Sequence, residues 1–205
     1  MKLKDILNLA RHGELNTLSV KDNNPALVGF VNLGLLELYS MFALYTEEYI
    51  IELEEGVTVY DLPSDFMYIT GAFEAPPAGS SQNSNPLPIN EEGNPLSVNT
   101  INFKQVQVPL TTKGSYISII YVPKPVMVSI DDLEAEVHIP DQLIQPLLNF
   151  MAYKGHGGIR ADGQGQSDVY YARFRRSCDD IKRQGVAIAS DDLSMDVRIY
   201  SRGFP

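Results

Sequence analysis

The residues able to do chemistry are few and scattered. The three histidines, His12, His138 and His156, are far apart in sequence, and none has a second histidine or a cysteine three or four positions away. His156 lies in Lys154-Gly-His-Gly-Gly-Ile159, a composition that suits the end of a helix better than a ligand set. Cys178, the only cysteine, excludes an internal disulfide and falls on the apolar side of a helical pattern, the place of a small core residue rather than a nucleophile. Adjacent acids at Glu54–Glu55, Asp131–Asp132 and Asp191–Asp192 could in principle share acid–base work, but pairs on turns are usually solvated. Gly163-Gln-Gly165 follows no strand and lacks a phosphate-contacting lysine, so it reads as a helix–helix connector. No hydrolase elbow, zincin, zinc-knuckle, P-loop or calcium-loop pattern occurs. The residues therefore define no catalytic, metal or cofactor site.

What the chain does have is a strong division of charge. With 16 basic and 26 acidic residues the 205-residue protein carries −10, which argues against nonspecific nucleic-acid binding by its surface as a whole. Residues 22–153 hold 17 acids and three bases, whereas residues 154–183 hold seven bases and four acids. Arg173, Arg175 and Arg176 are the centre of the basic stretch. Such a dipolar monomer can present a merely solvated basic helix, or can set its basic end against the acidic flank of an identical neighbour. A head-to-tail contact of the second kind closes into a ring or runs on as a filament.

The elements that must carry these charges are helices at the ends and strands between. Leu3, Ile6, Leu7 and Ala10 recur at helical spacing up to Gly13, in a charge-broken stretch unlike a secretory leader. Asn24 and Pro25 suit the cap and first turn of a second helix reaching about Leu44, with Leu27, Val31, Leu35, Leu38 and Phe42 on one face. Gly29, Asn32, Gly34, Glu37 and Ser40 interrupt its apolar run, and the glutamate alone would cost about 2–3 kcal/mol in a bilayer, so no membrane span is expected. From Tyr49 the period changes to two. Tyr49–Leu53, the turn Glu54-Glu55-Gly56 and Val57–Leu62 predict a β-hairpin. Phe66–Phe73, the alternating Ile101–Val108 and Tyr116–Val122 add strands, making four to six antiparallel strands in all, and 76–97 reads as an exposed loop with one short strand. A helix from about Gln145 to Lys154, and a last helix capped by Ser167 with Tyr170, Phe174, Cys178 and Ile181 on its apolar side, complete the α+β pattern.

The expected architecture is a helical bundle from 1–46 and 139–185, an inserted antiparallel β domain from 47–138, and an extended tail over 186–205. The tail carries Ile188, Leu193, Val197, Ile199 and Tyr200 and has no helical period. It either folds back along its own sheet or docks on a partner or neighbouring subunit as an added strand or extended anchor.

This order of motifs resembles a known family. Gly56-Val-Thr-Val-Tyr-Asp-Leu-Pro-Ser-Asp65 is similar to a turn of bacteriophage head-to-tail adaptor (connector, head-completion) proteins. The likeness continues through Tyr121-Val-Pro-Lys-Pro125, Ile139-Pro-Asp-Gln-Leu143, Ala152-Tyr-Lys154 and the aromatic and basic helix Tyr170–Arg183. The resemblance implies a structural virion protein of the neck, not an enzyme, with no cofactor. In such a protein a twelve-subunit ring sits under the portal protein, extends the channel through which genomic DNA passes without sequence-specific binding, and offers a platform to tail or nozzle proteins. A neck stopper or tail-completion ring, a tail-associated glycan-binding module drawing on the 11 tyrosines, and a cell-wall-cleaving enzyme using the paired carboxylates are the alternatives.

Overall fold

The computed structural model describes residues 1–75, 85–110, 116–157 and 164–184. The chain divides into two compact units, one built from Met1–Phe42 and the stretch from Pro125 through the last helix, the other from the intervening Ala43–Lys124. Among the described residues there are four α-helices and seven strands, all strand pairings within the two sheets being antiparallel, so the α+β class is the observed one.

The helical unit holds α1 (Leu3–His12), α2 (Asn24–Met41), α3 (Ile144–Gly157) and α4 (Gln164–Arg183). Leu3, Ile6, Leu7 and Ala10 are the buried stripe of α1, as their spacing requires. The cap of α2 is Asn23, one residue earlier than expected: its Oδ1 accepts the Ala26 N–H at 3.2 Å, while the side chain of Asn24 is taken by the Arg11 guanidinium. The helix stops at Met41, and Phe42 is already extended. Gly34 lets α2 approach α3, because a Cβ there would fall 2.4 Å from Leu147 Cδ1 and 3.2 Å from Phe150 Cδ1. Asn32 makes a two-way bond with the backbone of Val128, donating from Nδ2 to its carbonyl and accepting its N–H, both at 2.9 Å.

Ser167 is not the cap of α4, which begins three residues earlier. It lies buried in the first turn and donates to the Tyr153 carbonyl at 3.2 Å, tying α4 to α3. Further along, Phe174 meets Phe150 edge-on at 5.3 Å, and Cys178 and Ile181 complete the buried side.

The chain start is pinned to the segment before α3. Leu3 and Lys4 donate backbone N–H to the carbonyls of Ala135 and Leu133, and Val137 donates to that of Met1. Lys2 and Lys4 both reach Glu134, at 2.8 and 2.5 Å. Hydrogen bonds from the two ammonium groups hold the exposed Glu134 carboxyl down at about 2, against an ordinary 4.5. A carboxylate depressed on folding stabilises above its unfolded value and loses that contribution as pH falls through its folded one. The stability difference between wild type and Glu134→Gln should therefore be present above pH 4.5 and vanish towards pH 2, read as unfolding midpoints across an acid titration. A difference that grew on acidification would refute the clasp.

The β unit has a four-stranded sheet ordered β1-β7-β3-β4 and a three-stranded sheet ordered β2-β6-β5. Their ranges are β1 Glu47–Glu52, β2 Val59–Asp61, β3 Phe66–Ala75, β4 Asn85–Pro86, β5 Asn99–Asn102, β6 Gln105–Gln107 and β7 Tyr116–Pro123. The expected hairpin does not form: β1 pairs with β7 and β2 with β6. The turn between β1 and β2 exists, with Gly56 at φ +80° and Val57 N–H on the Glu54 carbonyl. The Tyr60 hydroxyl then accepts the Glu54 N–H at 2.8 Å and fastens it as a corner between sheets. Burial decides the partner. β7 is almost wholly apolar and takes the interior position, and β1 gives it cross-strand pairs of Ile51 with Ile117 and Glu47 with Tyr121, the latter bonded at 2.8 Å. The alternating Ile101–Val108 is likewise two strands, because Asn102 Oδ1 accepts the Lys104 N–H at 2.8 Å and turns the chain, leaving Phe103 71% exposed. Val98, Val106, Ile117 and Ile119 form the centre of the core.

Candidate interaction surface

Among the described residues, none of the scattered reactive groups is brought into a reactive cluster. His12 and His138 are exposed, and no group of three potential metal ligands occurs among the described residues. Glu54–Glu55 and Asp131–Asp132 stand exposed on turns, while Asp191–Asp192 lies outside the described residues. Burial pushes the Cys178 thiol up to about 11, so at neutral pH it is protonated and hidden rather than a thiolate nucleophile.

His156 is buried and belongs to a stack. Its ring lies 4.9 Å from that of Tyr170 at 19°, and the Arg173 guanidinium lies 5.2 Å from the same Tyr170 ring. The Tyr170 hydroxyl donates to Glu14 at 2.6 Å, and burial, with help from that carboxylate, raises the phenol so that it stays a donor. These groups line a cavity of about 520 Å³ with Asn16, Thr17 and Gln166. Tyr170 and His156 both engage Glu14, and among the described residues the lining holds no nucleophile paired with a base.

The predicted basic residues are on the surface, but not on one face. Successive helical positions turn by about 100°, so Arg173 and Arg175 fall on opposite flanks of α4 with Arg176 between them on the outer side. Arg175 lies against Met41 Sδ at 3.8 Å, and Lys182 sits 5.2 Å above the Phe42 ring. Both are at the C-terminal end of α2, where a helix favours cations. Arg176 has no ion pair among the described residues, and Arg173 has only its tyrosine stack and the cavity edge. Ala43–Lys124 holds ten acids and three bases, so the negative charge is concentrated in the β unit. The tail residues Ile188, Leu193, Val197, Ile199 and Tyr200 lie outside the described residues.

Arginines on α4 without ion pairs among the described residues, together with an acidic β unit, suit assembly, and the family comparison agrees. The model of the SU10 adaptor protein family matches residues 1–198, nearly the whole chain. The chain belongs to that family. It is a structural adaptor of the phage head–tail connection. No curated protein matches the adaptor. No helix among its described residues is long and apolar enough to cross a membrane.

Proposed function

We propose that the adaptor assembles as a twelve-subunit ring in the virion neck, bound beneath the portal protein and carrying tail or nozzle proteins on its far side. In this reading it does no catalysis. The observation that carries it is the family match across residues 1–198, which spans both the helical and the β unit. The charge division supports it: an acidic β unit and outward arginines on α4 give each copy two unlike surfaces, as a head-to-tail ring needs. Acids facing the channel would repel the DNA backbone and let the genome slide through without sticking. Residues 186–205, with Ile188, Leu193, Val197, Ile199 and Tyr200, are the proposed anchor on the portal or a neighbour.

The test is co-assembly of the full-length protein with the portal ring of the same phage, viewed by electron microscopy. A symmetric ring of added density below the portal is expected, and its symmetry counts the subunits. A competent portal that stays bare would refute the reading.

A further inference from the structure

The β1–β7–β3 sheet turns Ile51, Ile117, Ile119 and Ala72 into the core, so the alternate residues form its other face. There the register lines up Ile50, Ser118 and Phe73 across the three strands, with Glu48 and Ile120 one row away and Glu52 and Tyr116 on the other side. The Phe73 ring lies back over Gly71, where a Cβ would come within 3.0 Å of it and 3.5 Å of Ile120, so Phe73 and Ile120 are in one apolar patch. Ile50 extends that patch at 58% exposure, bordered by exposed Glu48 and Glu52 on the edge strand β1. Edge protection explains charges on β1, but it does not explain an exposed isoleucine held between them.

The outer side of α4 has the complementary composition. Val169, Ala172 and Arg176 fall there at three- and four-residue spacing, with Arg173 on the adjoining flank, all exposed and Val169 at 50%. It is an apolar centre with a basic border, against an apolar centre with an acidic one.

We propose that α4 of one copy docks on the outer β1–β7–β3 face of a second copy. Val169 and Ala172 cover Ile50 and Phe73, and Arg173 and Arg176 reach Glu48 and Glu52. This contact rests on the ring reading above and supplies its inter-subunit joint. The two surfaces differ, so each copy uses one towards each neighbour, and the joint repeats around a ring.

Charge reversal tests it in the full-length protein with the portal as the seed. Arg173→Glu/Arg176→Glu and, separately, Glu48→Lys/Glu52→Lys should each cut ring yield by about tenfold, while far-UV circular dichroism stays that of wild type. The chain carrying all four changes, and an equal mixture of the two double variants, should both recover most of the yield. As a second measurement that leaves every charge in place, Val169→Cys and Ile50→Cys protomers should join through a short bismaleimide only when mixed. Cys178 is buried and silent in this assay. Folded reversal variants that assemble like wild type, or the absence of the mixed cross-link in rings that do form, would overturn the joint and leave the ring reading standing. Wild-type protein that forms no ring on a competent portal would overturn both.

Discussion

Replacing Phe174 by alanine should destabilise the helical unit by about 3–5 kcal/mol. The ring is fully buried, edge-on to Phe150 at 5.3 Å and 6.2 Å from Tyr171, at the contact between α3 and α4. Truncation loses the transfer energy of the ring and leaves a cavity between two helices whose backbones are fixed by their own hydrogen bonds. For a chain of this size that loss corresponds to a midpoint lowered by roughly 10 °C. Tyr171→Ala, at a neighbouring exposed position, should move the midpoint far less. Equal shifts for the two variants in thermal or urea unfolding would show that α4 is not held by its buried face.

Asn32→Leu should cost about 2–4 kcal/mol although it adds an apolar side chain to an apolar helix. The asparagine satisfies both backbone groups of Val128, and leucine would leave that N–H and C=O facing a hydrocarbon. Asn32→Asp separates the two halves of the bond: it keeps the acceptor for the Val128 N–H but removes the donor to the carbonyl, so it should fall between wild type and Asn32→Leu. A leucine variant as stable as wild type would mean that the 125–130 segment is held by its apolar contacts alone.

These two residues mark what the sequence could and could not tell. Phe174 was legible because its spacing from Tyr170, Cys178 and Ile181 follows the helical period, and burial obeys period. Asn32 and Gly34 were legible only as interruptions of an apolar run. Their roles depend on Val128, Leu147 and Phe150, which arrive from another part of the chain and leave no trace at positions 32 and 34.

The same limit explains the missed hairpin. Turn chemistry at Glu54–Gly56 is local and was read correctly, but the choice of partner for β1 is made by the burial of β7, more than sixty positions away. At the candidate surface, the identity of the arginines was plain. Their division between Arg176 on the outer side, Arg173 over Tyr170 and Arg175 at the end of α2 required knowing where Met41 lies. The outer sheet face was invisible for a similar reason: Ile50, Ile120 and Phe73 become neighbours only through the register of three strands.

The pinning of Met1–Lys4 to Leu133–Val137 also sets an order of events during synthesis. Ala43–Lys124 is one unbroken stretch and can begin pairing its strands as soon as it leaves the ribosome. The helices α1 and α2 are made first, yet their apolar stripes wait for α3 and α4, and the first residues wait for the segment before α3. For much of translation the nascent chain therefore carries an open, sticky helical half beside a β half that can already close. A long loop must be closed before that half is rewarded with a core, which makes it the slow step and the one most exposed to aggregation and chaperone capture.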